Sequence, residues 1–205
     1  MTEKEIPPPI LLDLPNELVG PRVLLRPFRP GDGTALWEAV EESRAHITPW
    51  MAWVEHNQSA ADSEMYARQA SARWVTRESL AMGIWDRGTR RYLGQCGLVR
   101  PDWAVPSFEV GYWVRASAQG FGYVTEAVGL ATALAFETLG AQRVHIQCDS
   151  LNLRSAAVAQ RLGFPLEGTL RRNDRSTSGE LRDALIFALT PDDYVRARAE
   201  WEQAQ

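Results

Sequence analysis

Residues Gln119-Gly120-Phe121-Gly122-Tyr123-Val124-Thr125-Glu126-Ala127 form the stretch of this chain best suited to chemistry. Two glycines one residue apart separate an apolar, strand-like run, Phe108 to Val114, from a long helix-like run, Thr125 to Leu139. Where a strand passes through such a turn into a helix, consecutive backbone N–H groups point outward beside the helix N-terminus and cradle an anion, a phosphate above all. The spacing belongs to neither standard phosphate loop. No Lys-Ser/Thr pair follows the second glycine, and no third glycine completes a dinucleotide turn. A lone Gly-x-Gly also builds an ordinary tight turn.

The other reactive residue types point to less. Cys96 and Cys148 both fall in apolar, strand-like segments, where a buried free thiol is the usual state. No metal-ligand spacing joins them to His46, His56 or His145, so neither a disulfide framework nor a metal site is expected. None of the three histidines sits in a motif, and each reads as a surface or packing residue.

The elements that must carry the Gly turn can be traced along the chain. Pro7-Pro8-Pro9 suggests an extended N-terminal arm over residues 1–17, and one domain is expected over 18–205, with Val23 to Pro27 as its first strand. An amphipathic run from Thr34 to Glu42 and a polar run from Ser59 to Arg77 read as helices, with Trp50 and Trp53 on one helical face between them. Leu80 to Trp85, Tyr92 to Val99 and Phe108 to Val114 read as a three-stranded meander. Beyond the Gly turn and its helix, Arg143 to Cys148 alternates as a strand, and Asn152 to Leu162 is helical. Phe164 to Leu170 and Asp183 to Leu189 form a closing strand pair, and Pro191 opens a last helix.

This order predicts an α/β (α+β) fold with a mixed, mostly antiparallel sheet. Phe108 to Val114 and Arg143 to Cys148, joined by a helix, should lie parallel. The Gly turn then stands at the carboxyl end of the first of them, where open sheets bind ligands.

Composition excludes several classes. The chain has 205 residues, 45% of them hydrophobic, enough to bury a full core. Its formal charge of −4 argues against nucleic acid as a partner, which calls for a basic face. No stretch approaches the roughly 20 apolar residues of a membrane span, and the N-terminus lacks the basic and apolar blocks of a secretory signal. A cytoplasmic protein without membrane attachment is the expectation.

Glu109-Val110-Gly111-Tyr112-Trp113, the 119–123 turn, Thr125-Glu126-Ala127, Asn152-x-x-Ser155 and Leu162-Gly163-Phe164 follow one another in the order and spacing of the GNAT acetyltransferase superfamily, which the chain resembles from about Leu18 to Leu189. Pro49-Trp50-Met51-Ala52-Trp53 and Glu167-Gly168-x-Leu170-Arg171 resemble its ribosomal-protein N-terminal acetyltransferase (Rim-type) branch. The resemblance implies acetyl-CoA as donor, its pyrophosphate on the backbone amides of Gln119, Gly120, Phe121, Gly122, Tyr123, Val124 and Thr125. It implies that the Phe108 to Val114 strand splays from its parallel neighbour, and that the pantetheine arm lies in the gap against the main chain of Trp113 and Val114. Many members of the branch are homodimers.

Two departures stand out. Val124 replaces a small residue of the phosphate turn, which matters little if the helix has begun there. Ala159 stands where many members carry a tyrosine as general acid, so the resemblance to the Rim-type branch passes that role to Ser155, with Asn152 beside the cofactor. Asn152 is also a good helix N-cap, and Ser155 a plausible first-turn polar residue.

An amine nucleophile must be neutral, so a group must accept its proton. Asp174, seven residues after Glu167, and Glu109 are the two carboxylates for that role; each also reads as an exposed or ion-paired charge. A backbone N–H near Val114 would meet the oxyanion. Trp50, Trp53 and Tyr112 would line the acceptor cleft, with core packing as the alternative for the tryptophans. The acceptor implied is a primary amine, most simply a protein or peptide N-terminus. A small amine, another acyl group and a noncatalytic acyl-CoA-binding module are the alternatives.

Overall fold

The computed structural model describes residues 8–203; the first seven residues of the expected arm lie outside them. Within the described part of the arm, one 3-10 turn, Pro9–Leu11, interrupts otherwise irregular chain, and Leu12 just after it is extended. Arg77 Nη2 donates to the Leu12 carbonyl at 2.5 Å. Leu14 packs on the core.

Eight strands make one sheet: β1 (Leu18–Val19), β2 (Val23–Pro27), β3 (Leu80–Asp86), β4 (Tyr92–Asp102), β5 (Ser107–Val114), β6 (Arg143–Asp149), β7 (Leu166–Arg175) and β8 (Leu181–Leu189). Their order is β1-β2-β3-β4-β5-β6-β8-β7. Every neighbouring pair is antiparallel except β5 and β6, which are parallel. The mixed, mostly antiparallel sheet expected from the sequence is therefore present.

Five helices cover it: α1 (Gly33–Ile47), α2 (Ala60–Thr76), α3 (Tyr123–Ala133), α4 (Leu153–Arg161) and α5 (Pro191–Gln203). Alternation along the strands divides the core in two. Leu24, Trp85 and Trp113 pack with Leu36, Val40, Ala67 and Ala70 of α1 and α2. Val23, Ile84, Leu98, Phe108 and Val110 pack with Ala127, Val128 and Ala131 of α3 and Val158 of α4.

Helix starts follow local chemistry. Ser59 caps α2 by accepting from the Asp62 N–H at 3.1 Å. Glu64 of α2 reaches across to cap α1 at the Gly33 N–H, 3.1 Å away. A Cβ at Gly33 would stand 2.5 Å from the Glu64 backbone, so only glycine permits that crossing. Thr190 and Asp193 form a reciprocal box at the start of α5.

Trp50 and Trp53 do not share a helical face. Thr48 still has helical dihedrals and donates to the Arg44 carbonyl, but Pro49 brings no N–H to continue the ladder, and α1 ends at Ile47. Trp50 follows in a turn, and Trp53 lies in a 3-10 helix, Ala52–His56.

Candidate active site

The site begins with a gap in the sheet. β5 and β6 pair only at Ser107–Arg143, Phe108–Val144 and Glu109–His145. Beyond Glu109, β5 stays on β4 as far as the Val114–Gly94 pair, while β6 follows β8 to the Asp149–Ala184 pair. The parallel strands splay as expected.

Peptide groups alternate in direction along a strand. The Pro106 carbonyl accepts from Gln142 N–H on the β6 side at 2.7 Å, and Arg115 N–H donates to Leu93 on the β4 side at 2.8 Å. Even-numbered residues between them, Tyr112 and Val114 included, therefore turn their N–H and C=O towards the gap. Val114 stands where a pantetheine contact was expected. The peptide groups of Trp113, also expected there, face β4, and those of Tyr112 face the gap. The Trp113 indole is buried against Trp53, ring centroids 5.8 Å apart.

The glycine turn closes one end of the gap. Gln119 has φ −71° and ψ 151° and Gly120 has φ 80°, the dihedrals of a type II turn, whose third position favours glycine. Gly122, also left-handed at φ 78°, starts α3. No side chain caps it. The first intrahelical bond of α3 is Glu126 N–H to the Gly122 carbonyl, 3.1 Å, which leaves the amides of Tyr123, Val124 and Thr125 without intrahelical acceptors. α1, α2, α4 and α5 each have a polar side chain on such amides, and among the five described α-helices α3 alone does not. Open amides at a positive helix end are what a diphosphate requires. Val124 is already helical, so its Cβ is no obstacle.

Sequence reasoning missed the clamp behind this turn. Glu126 Oε1 accepts the N–H groups of Arg22 (2.8 Å) and Val23 (2.9 Å), and its Oε2 accepts Arg22 Nε at 2.8 Å. Arg22 Nη1 donates to the Phe121 carbonyl at 2.7 Å. The guanidinium thus neutralises the one carboxylate in the first turn of α3 and engages the carbonyl of Phe121 in the turn. Only the residues Arg22 and Glu126, 104 positions apart, signal it, and no local pattern links them.

Across the gap, Asn152 caps α4 by accepting from Ser155 N–H at 3.1 Å. Arg154 Nη1 donates to Gln119 Oε1 at 2.6 Å, tying that helix to the glycine turn. Ser155 is half-buried. The Tyr112 hydroxyl reaches both its carbonyl and its Oγ, each at 3.0 Å. Ala159 is fully buried in the core, on the helix face turned from the cavity.

The two carboxylates differ. Glu109 is bound by Arg100 Nη1 at 2.5 Å and lies 3.8 Å from His145 Nε2. Asp174 is exposed on β7 and accepts only the Arg175 N–H, at 2.7 Å. Neither is hydrogen-bonded to Ser155 or Tyr112. Burial lowers the pKa of His145, in keeping with its packing role. Cys96 and Cys148 are free and buried, as expected. Burial raises both thiols. Among the described residues no cluster of His, Cys, Asp or Glu could hold a metal, and no helix is long and apolar enough to cross a membrane.

A single cavity of about 1980 Å³ collects these parts. Its lining includes the 119–125 turn, Val114, Trp113 and Tyr112 of β5, Asn152 and Ser155 of α4, both carboxylates, and Trp50 and Trp53. The two tryptophans are 40% and 39% exposed, so they are wall rather than core. His46, to which the sequence gave no role, is also in the lining.

A family model described as an acetyltransferase (GNAT) domain matches residues 22–165. The Bacillus subtilis (strain 168) protein YdaF, whose name assigns it provisionally to ribosomal N-acetylation, is 27% identical over 187 residues, 90% of this chain and 96% of its own. RimL, a ribosomal L7/L12 α-N-protein acetyltransferase solved with coenzyme A, has a similar fold. Its TM-score is 0.79 at 21% identity, over 86% of this chain and 99% of that one. The microcin C7 self-immunity acetyltransferase MccE, solved with acetyl-CoA and AMP, gives 0.77 at 24% identity over 83% and 93%. The resemblance to the ribosomal-protein branch is thus repeated in YdaF and RimL. With the splayed strands, the uncapped α3 and a matching model over most of its length, the chain belongs to the GNAT family of acetyl-CoA-dependent N-acetyltransferases.

Proposed function

We propose that this protein acetylates the α-amine of a protein or peptide N-terminus, a ribosomal protein being the acceptor class that YdaF and RimL suggest. The observation that carries the reading is the open-ended gap between β5 and β6, with a diphosphate site at one end and the exposed Trp50 and Trp53 wall on the same cavity. An extended peptide end can enter such a groove and a bulky fold behind it can stay outside.

In this reading the amides of Tyr123, Val124 and Thr125 take the pyrophosphate, and the Tyr112 and Val114 peptide groups take the pantetheine amides as a neighbouring strand would. The Val114 N–H, fixed and facing the gap, donates to the thioester oxygen as it gains charge. Ser155 gives its proton to the leaving sulfur. Glu109 and Asp174 place negative charge along the cavity, which favours an incoming ammonium. A homodimer and a cytoplasmic location belong to the same proposal.

The test is thiol release from acetyl-CoA with peptides beginning in Ser, Ala or Met, compared with spermidine and an aminoglycoside. Turnover of the peptides at the higher kcat/KM is expected. Turnover confined to the small amines would reject the N-terminus and leave a small acceptor.

A further inference from the structure

We propose that His46 accepts the proton released by the acceptor ammonium, a role resting on the acetyltransferase reading above. His46 lies near the end of α1 and lines the cavity together with Trp50, Val114 and Ser155. Its Nε2 is 3.1 Å from the Val114 carbonyl oxygen. A carbonyl can only accept, so Nε2 carries the hydrogen of the neutral imidazole and Nδ1 is a bare acceptor. Nδ1 has no partner among the described residues, and it is not sealed from solvent. The ring is therefore fixed by one nitrogen to the strand end where the thioester is held, and offers the other.

Burial, outweighing the Val114 hydrogen bond that favours the charged ring, holds the imidazole pKa below its ordinary 6.5, so it enters neutral. Arg154 of α4, across the gap, acts in the same direction, and Glu42, one turn earlier on α1, opposes it. Of the competing carboxylates, Glu109 is ion-paired with Arg100, while Asp174 is exposed on β7 and accepts the Arg175 amide on one oxygen. An imidazole also titrates nearer the working pH than a carboxylate, which suits a general base.

The step balances as follows. An N–H bond of the ammonium breaks and its proton goes to Nδ1, leaving the electron pair on nitrogen. That pair forms the C–N bond to the thioester carbonyl, and the C–S bond breaks with its pair on sulfur. The second proton on nitrogen passes to Ser155 Oγ, directly or through water, as Ser155 gives its own proton to the sulfur, and His46 returns its proton to water.

The experiment compares His46→Gln and His46→Ala with the parent, using acetyl-CoA and the best-used amine of the panel above. Gln keeps an N–H for the Val114 carbonyl and lacks a proton acceptor. Both variants should bind acetyl-CoA with unchanged Kd by calorimetry and lose kcat by roughly 100-fold. The acidic limb of kcat/KM, where activity falls as His46 becomes protonated below pH 6.5, should vanish in both. Retention of kcat and of that limb in His46→Gln would reduce His46 to a prop for Val114 and overturn the proposal. A parent enzyme that binds acetyl-CoA and acetylates none of these amines overturns both readings together.

Discussion

The Tyr112 hydroxyl lies 3.0 Å from both the carbonyl oxygen and the Oγ of Ser155. One phenolic proton serves two acceptors, so the pair has two states. When Tyr112 donates to the carbonyl, the serine hydroxyl donates to the phenol. When Tyr112 swings to Oγ, the serine proton is free to point into the gap. Burial raises the pKa of the phenol well above its ordinary value, so it stays a neutral donor throughout. In the proposed mechanism, where Ser155 supplies the acid missing at Ala159, the hydroxyl that a tyrosine of β5 meets is the one that gives up its proton.

Tyr112→Phe should lower kcat by roughly 3- to 10-fold, the worth of one ordinary hydrogen bond, with KM for acetyl-CoA nearly unchanged. Ser155→Ala should cost roughly 10- to 1,000-fold. The double variant should fall no further than Ser155→Ala, because Tyr112 acts through that hydroxyl. Steady-state kinetics of the three proteins decide it, and additive losses would separate Tyr112 from Ser155.

How far the sequence carries can be judged from such residues. Strand alternation revealed the sheet and its parallel pair, because each is written in neighbouring residues, whereas the splay was implied by the family resemblance. The helix beginning at Tyr123 rather than Thr125 moved the boundary and left its chemistry intact. What was not legible is made by contacts distant in sequence. The Arg22–Glu126 clamp, the His46–Val114 bond and the Tyr112–Ser155 pair join positions 104, 68 and 43 apart. Which way the Trp113 peptide groups face was not legible either, because strand parity needs a register, and no register can be read from one strand alone.

Gly120→Ala and Gly122→Ala test the turn. Both residues are left-handed, where a Cβ costs about 1 to 2 kcal/mol. At Gly122 the new methyl would also press on Arg22 Nη2, 3.2 Å away, whereas at Gly120 nothing lies within 4 Å. Gly122→Ala should therefore be the more destabilising in urea, and both should raise the Kd for acetyl-CoA. Equal affinities across the parent and both variants would remove the turn from the binding site.

Glu126→Ala removes the acceptor of two backbone amides and one guanidinium, with the carboxylate side chain only 11% exposed. A stability loss of about 2 kcal/mol is expected from the stranded amides. Glu126→Gln keeps an oxygen for both amides and loses only the Arg22 Nε bond, so it should cost less. Chemical denaturation of the two variants checks the order, and the reverse order would show that charge, rather than backbone satisfaction, holds the clamp.

Glu42 ties α1 to the chain just past Val114. Arg115 Nε donates to its Oε2 at 2.9 Å and Ser117 N–H to its Oε1 at 2.7 Å, and the Arg115 side chain is buried. The Arg115 hydrogen bond, outweighing burial, lowers the Glu42 pKa from 4.5 to about 2. A carboxyl whose folded pKa is depressed stabilises fully above its unfolded value and loses that contribution as pH falls through the folded one. Glu42→Gln should therefore cost about 1 to 2 kcal/mol at pH 7, after allowance for solvent screening. Its deficit in urea midpoint against the parent should shrink between pH 4.5 and about 2, as the parent carboxyl itself becomes protonated. A deficit that stays constant across that window would mean that the bond geometry, and not the charge of Glu42, secures this corner of the site.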